Sequence, residues 1–143
     1  MVNLIALDPG THTGVCIYST ETNGFEFDTL GPNQHHLPLW DLLTVTAPDV
    51  IIFERFTYQR RDKVILDSVE YIGVARLYSQ LHRVPYAEQT PSSAKNLWTD
   101  DKIRTLGLWR PSERHAMDAL RHMLYYLTVK KNDRQWVNKL RPS

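Results

Sequence analysis

Two short segments of the chain are continuously apolar, apart from Asn3 in the first, and each leads directly into an acidic residue. The first segment, 2–7, runs up to Asp8, and the second, 50–53, runs up to Glu54. Continuous apolarity over so few residues predicts strands that are buried on both faces, as in a sheet covered by helices. Ligands of such sheets gather at the carboxyl ends of the strands. Asp8 and Glu54 are therefore candidate functional residues.

The rest of the sequence predicts a single α/β domain. Strands are expected over 2–7, 14–18, 25–30, 50–53 and 84–87, and helices over 38–46, 64–82, 102–108 and from 111 to about 130. An Asn-Gly pair at 23–24 favours a tight hairpin between the second and third strands. Since helices separate the later strands, their connections must be crossovers, which predicts a mixed sheet with helices on both faces.

Composition excludes several classes of protein. The chain is 42% hydrophobic and 23% charged, which is typical of a folded globular domain rather than a disordered segment. No apolar run approaches the ~18 residues of a membrane span, and no basic region precedes the first apolar run as in a signal peptide. Cys16 is the single cysteine, so an internal disulfide is excluded and a reducing, cytoplasmic location is expected.

Charge is distributed unevenly along the chain. Residues 121–143 carry a net charge of +5, whereas the first 120 residues carry −4. An acidic body with a basic end suits a nucleic-acid partner. A solvated C-terminal extension is an equally good interpretation of this pattern alone. We assign 1–130 to one folded domain and 131–143 to a basic extension.

The last long helix adds two further candidate residues. At about 100° per residue, His115, Asp118 and His122 share one polar edge of this helix, beside a stripe of apolar residues. For His122 a solvated position is the favoured interpretation. For His115 and Asp118 we favour a shared metal, because the chain also places two acids at strand ends. Taken singly, Asp8 is better interpreted as a turn cap, and Glu54 as a partner of Arg55 or Arg61 in an ion pair.

Carboxylates with one histidine favour hard cations such as Mg²⁺ or Mn²⁺. Scattered histidines and one cysteine give no zinc-ligand spacing. Two such ions can clamp the attacking and leaving oxygens of a phosphodiester. The residues themselves thus predict metal-dependent phosphodiester hydrolysis.

Five segments resemble RuvC-like Holliday junction resolvases, most closely the phage-encoded branch of the family. They are the Asp-Pro-Gly run with its following Thr-Gly at 5–14, the acid strand 51–54, Gly-Val-Ala-Arg at 73–76, Thr90-Pro91 with Lys95, and His-Ala-Met-Asp-Ala-Leu at 115–120. The resemblance extends over nearly the whole chain to about residue 130.

This resemblance implies a ribonuclease H-like fold, with a mixed five-stranded sheet whose first three strands are antiparallel. It implies that Asp8, Glu54 and Asp118 bind the metals. His115 stands where some members of the family have a fourth carboxylate and others a histidine, which leaves the choice between Mg²⁺ and Mn²⁺ open. Members of the family usually act as homodimers that make paired nicks in a four-way junction.

Basic and aromatic residues mark where DNA is expected to bind. The segment after Glu54 interleaves the two kinds, and they are Arg55, Phe56, Tyr58, Arg60, Arg61 and Lys63. Basic groups neutralise phosphates, and aromatic rings stack on exposed bases. Phe56 suits a core position equally well. Lys95 is a candidate phosphate contact, with a solvent-exposed helix lysine as the alternative.

Three other functions remain open from the sequence. A nuclease of the same fold acting on RNA or single strands is compatible with every motif. Phosphoryl transfer of the actin or sugar-kinase type ranks low, because it needs two such domains and 143 residues supply one. A non-catalytic DNA-binding module is disfavoured, since three acids would repel phosphate.

Overall fold

The computed structural model describes residues 2–56 and 67–141. Five strands form one sheet in the order β3-β2-β1-β4-β5. They are β1 (Asn3–Asp8), β2 (Thr13–Ser19), β3 (Gly24–Leu30), β4 (Val50–Glu54) and β5 (Tyr86–Gln89). β1, β2 and β3 are antiparallel neighbours, whereas β4 is parallel to β1 and β5 is parallel to β4. The predicted mixed sheet is confirmed.

Six helices and one π-helical turn complete the described part of the chain. They are α1 (His36–Thr46), α2 (Asp67–His82), α3 (Pro91–Leu97), α4 (Asp100–Thr105), α5 (Arg114–Tyr125), the π-helical turn (Tyr126–Lys130) and α6 (Gln135–Asn138). Among residues 2–56 and 67–141, no helix combines the length and the apolar character that a membrane crossing requires.

The sheet separates two apolar clusters. Alternate residues of β1 point to opposite faces: Ile5 and Leu7 pack with α1 and α2, whereas Leu4 and Ala6 pack with α5 and the elements around it. β1 is central and is buried on both faces, which explains its unbroken apolar sequence. The molecule therefore has three layers: α1 and α2 on one side, the sheet in the middle, and α5 with the elements around it on the other side.

Local sequence signals account for several boundaries. Thr90 caps α3, because its side-chain oxygen accepts a hydrogen bond from the Ser93 N–H at 3.4 Å, and Pro91 occupies the first helical position. β5 is an edge strand, as predicted, but it starts two residues later than predicted. Pro85 has no N–H to donate to the ladder, so regular pairing begins only after it.

The basic C-terminal segment is partly anchored to the body of the protein. Trp136 of α6 is only 4% exposed, and its ring contacts Tyr18 and Phe25 with centroids 6.0 and 5.0 Å apart. A wholly solvated extension, which was one interpretation of this segment, is therefore wrong for the part that carries α6.

Candidate active site

Asp8 and Glu54 lie side by side at the carboxyl ends of β1 and β4. β1 and β4 are parallel, with Leu7 opposite Phe53, so the next residue of each strand is one of the two acids. Their carboxyl groups are close enough for the charge of Glu54 to act on Asp8. The predicted clustering of strand-end acids follows directly from this parallel register.

A glycine brings α5 close to these acids. Gly14 of β2 lies opposite Asp8, and a Cβ at this position would lie 1.9 Å from the backbone oxygen of His115. Only a residue without a side chain allows the start of α5 to approach β2 this closely. One turn further along α5, Asp118 is near enough for its charge to act on Asp8. The structure thus brings Asp8 and Glu54 together and places Asp118 within electrostatic range of Asp8.

Crowding of these carboxylates sets their protonation. Burial and the neighbouring Glu54 carboxylate raise the pKa of Asp8 to about 10. Burial would also raise the pKa of Glu54, but its neighbours His122 and Asp8 outweigh this effect and lower the pKa of Glu54 to about 2. At neutral pH Asp8 therefore keeps its proton, which reduces the repulsion between the two acids.

The acid cluster of Asp8, Glu54 and Asp118 has the donor chemistry that a hard divalent cation requires. Its donors are carboxylate oxygens, which Mg²⁺ and Mn²⁺ prefer, and a cation would offset the repulsion between them. Across the described ranges 2–56 and 67–141, no three His, Cys, Asp or Glu side chains converge closely enough to form a metal cage by themselves.

His115 lies at the margin of the acid cluster. Its ring stacks on His12, with centroids 5.1 Å apart and the planes 15° from parallel. Burial and the neighbouring His12 lower the pKa of His115, whereas Asp118 opposes this effect. A neutral imidazole beside Asp118 is compatible with the predicted role as a metal ligand, which stays a prediction.

The sequence prediction for His122 was wrong. Its side chain is 3% exposed rather than solvated, because the polar edge of α5 faces β4 and β5. Nδ1 lies 2.8 Å from Oε1 of Gln89, and Nε2 lies 3.9 Å from Oε2 of Glu54. The i, i+4 spacing from Asp118 was the available signal. His122 links the end of β5 to a candidate metal ligand.

Arg121 was not predicted as a site residue from the sequence, although it also contacts the site. Its side chain is 9% exposed and donates to Oδ1 of Asp118 at 2.5 Å. A small cleft in front of these residues is lined by Glu54, Pro91, Ala94, Lys95, Asp118, Arg121 and His122. The i, i+3 spacing from Asp118 was again the available signal.

The predicted DNA-binding residues are only partly described. Tyr58, Arg60, Arg61 and Lys63 lie outside the described residues. Arg55 pairs with Glu88 at 3.8 Å, and no ion pair joins it to Glu54 in the described part of the chain, so the alternative of an Arg55–Glu54 pair is wrong. Phe56 is 37% exposed rather than in the core. Lys95 lines the cleft, and its charge lowers the pKa of both Asp8 and Glu54.

Solved structures of Holliday junction resolvases share this architecture. RuvC of Thermus thermophilus in complex with a Holliday junction substrate superposes with a TM-score of 0.69 at 17% identity, covering 93% of this chain and 97% of that chain. Thermus thermophilus RuvC in a second structure gives 0.68 at 18% identity, covering 92% and 96%. The yeast mitochondrial resolvase Ydc2 gives 0.54 at 13% identity, covering 96% and 79%.

Two comparisons based on the sequence, by contrast, find no match. No protein-family model matches the chain, and no curated protein matches it. At the identities of the structural neighbours, the similarity establishes the fold. The predicted ribonuclease H-like fold class and the resemblance drawn from the five segments are thereby confirmed at that level. The chain has the fold of the RuvC-type Holliday junction resolvases.

Proposed function

We propose that this protein is a metal-dependent endonuclease that cuts four-way or otherwise branched DNA by phosphodiester hydrolysis. One observation carries the proposal: Asp8 and Glu54 adjoin at the ends of parallel strands, with the charge of Asp118 beside them. Three carboxylates are expensive to hold together without a cation. The fold is that of enzymes named for Holliday junction resolution, one of them bound to its junction.

The residues in and around the acid cluster would have different roles, either in metal binding or in phosphate contact. Asp8, Glu54 and Asp118, with His115 at the margin, would hold the metal, and two ions are expected. When bound, such ions activate a water molecule and stabilise the leaving oxygen of the phosphodiester. Lys95 lies in the same cleft and would neutralise a phosphate of the substrate.

The chain leaves β4 directly towards the expected DNA-binding segment. Arg55 and Phe56 follow Glu54 without a gap, and their side chains are 63% and 37% exposed. A cation and an aromatic ring next to the acid cluster support contact with phosphates and with unstacked bases at a branch point. Tyr58, Arg60, Arg61 and Lys63 would extend this contact.

Resolution of a four-way junction requires two opposed cuts, whereas one chain supplies one acid cluster. We therefore expect a homodimer on the junction. Sedimentation of the protein with and without junction DNA tests this expectation. A complex containing a single copy, cutting one strand only, would contradict it.

The decisive experiment is a cleavage assay on labelled four-way junction, fork, duplex and single-stranded DNA, with Mg²⁺, Mn²⁺ or EDTA. Asp8→Asn is compared with Asp41→Asn, because Asp41 is an exposed carboxylate on α1. We expect metal-dependent cutting of branched DNA that is lost in Asp8→Asn and kept in Asp41→Asn.

Other results of the same assay have distinct meanings. Equal cutting of single-stranded DNA would favour the alternative of a nuclease for RNA or single strands. Tight junction binding without cutting under either metal would contradict catalysis and leave a binding module.

A further inference from the structure

Arg121 is a buried arginine with partners from two parts of the chain. Its Nε–H donates to the backbone oxygen of Trp98 at 3.1 Å, and its guanidinium also pairs with Asp100 and Asp118. Trp98 and Asp100 flank the corner between α3 and α4, whereas Asp118 belongs to α5. The planar fork of a guanidinium can serve three acceptors at fixed angles.

The contact with Asp118 is directional. The bond ends on Oδ1 of that carboxylate, at 2.5 Å, and Arg121 follows Asp118 by three residues on the same helix face. The guanidinium of Arg121 is also bonded to Trp98 and Asp100. It therefore cannot move together with the Asp118 side chain, and it restricts rotation of that carboxylate. The rotamer of Asp118 is tied to the α3–α4 corner.

We propose that Arg121 is a positioning residue that holds the Asp118 carboxylate in place for the metal. This inference rests on the proposed function, because it takes Asp118 to be a ligand. Partners that orient a ligand in this way typically change metal affinity by about 10–100-fold when they are removed.

Two other roles for Arg121 predict different results. A cation next to the site repels a metal ion, so simple electrostatics predicts tighter metal binding without Arg121. A purely structural link between α5 and the α3–α4 corner predicts lower stability with unchanged metal affinity. Positioning predicts weaker metal binding, in spite of the lost positive charge.

The substitution Arg121→Met is expected to leave a folded protein. The side chains of Asp118 and Asp100 are 37% and 50% exposed, so water can solvate them once the guanidinium is gone. Arg121→Lys keeps the charge but loses the fork. Arg76→Met is the matched control, because Arg76 pairs with Glu88 from α2 on the other face of the sheet.

The experiment measures Mn²⁺ binding calorimetrically without DNA, thermal unfolding without metal, and cleavage against Mn²⁺ concentration. For Arg121→Met we expect Mn²⁺ affinity to fall by about tenfold or more, with a higher Mn²⁺ requirement for cleavage. Arg121→Lys should recover part of this loss, and Arg76→Met should bind Mn²⁺ as the unaltered protein does.

Each contrary result is distinguishable. Unchanged or tighter Mn²⁺ binding by Arg121→Met, with normal binding and cleavage by the unaltered protein, would overturn the role of Arg121 alone. Failure of the unaltered protein to bind Mn²⁺ would overturn the proposed function, and the role of Arg121 with it.

Discussion

Helices α5 and α2 cover opposite faces of the same sheet, and each carries an arginine paired with a carboxylate. On α5, Arg121 is 9% exposed and is bonded to Asp118. On α2, Arg76 is 48% exposed and pairs with Glu88 of β5. The same pair of chemical groups therefore occurs once in the interior and once at the surface.

The surroundings of the acids differ more than those of the arginines. Glu88 has two arginines, since Arg55 also lies within 3.8 Å of it. Asp8 and Glu54 face each other instead, with Asp118 nearby. Surface ion pairs contribute little to stability, about 0–1 kcal/mol, so Glu88 needs no further explanation. The excess of negative charge at the end of β1 and β4 indicates a site built for a cation rather than for stability.

The largest expected difference between the two arginine–carboxylate pairs is in cleavage. Asp118→Asn should lower the cleavage rate by about 1,000-fold, equivalent to about 4 kcal/mol of transition-state stabilisation, because a carboxylate that holds the metal is lost. Glu88→Gln, which removes the surface acid, should stay within about twofold of the unaltered protein. Single-turnover cleavage of a labelled junction measures both. Equal loss in the two variants would show that net charge matters rather than position.

Two glycines test how closely each helix is packed. Gly14→Ala should destabilise the protein by about 3 kcal/mol, since its Cβ must displace the backbone of α5 at His115. Gly73→Ala on α2 has nothing within 4 Å of the new Cβ and should be neutral or stabilising by about 0.5–1 kcal/mol. Urea unfolding of both proteins provides the measurement. A stable Gly14→Ala protein with an unmoved α5 would contradict the close approach.

Histidines near the ends of the two helices extend the comparison. His122→Leu should weaken Mn²⁺ binding by about tenfold, because Glu54 loses a neighbour 3.9 Å away and Gln89 loses its bond. His82→Leu on α2 replaces an exposed ring whose centroid lies 4.3 Å from that of Tyr78, and it should leave Mn²⁺ binding unchanged. Calorimetry without DNA measures both affinities. A His122→Leu protein that binds Mn²⁺ normally would restrict His122 to packing.

The smallest expected effect is a pH-dependent gain in stability. The pKa of Asp8 is raised from 3.8 to about 10, so its contribution to stability is present below pH 4 and is lost as pH rises towards 10. Glu54, with a lowered pKa, changes its contribution only between about pH 4.5 and 2. Between pH 5 and 9, metal-free Asp8→Asn should therefore unfold at a higher temperature than the unaltered protein, and the difference should grow with pH.

For a protein of this size, each kcal/mol of added stability raises the unfolding temperature by about 2–4 °C. Thermal unfolding in EDTA at several pH values measures the gain, with Glu88→Gln as the surface control. A lower unfolding temperature for Asp8→Asn at pH 9 would mean that Asp8 is a structural turn cap.

The sequence alone was enough to predict the frame of the site. Unbroken apolar runs ending in Asp8 and Glu54 required two central strands, because only strands buried on both faces read this way. Helical periodicity then placed Asp118 on the polar edge of the last helix. These predictions depend on residues close together in the chain, and local physics is sufficient for them.

What the tertiary structure decided is the environment of each polar group. Helical spacing put Arg121 and His122 near Asp118, but their partners Trp98, Asp100 and Gln89 lie 21 to 33 residues away. Periodicity gives the face of a helix on which a side chain lies and does not give what packs against that face. His122 was therefore predicted to be solvated, whereas packing of α5 against β4 and β5 buries it beside Glu54. Burial and charge pairing arise only when distant segments meet, and they determine how the site can bind a metal.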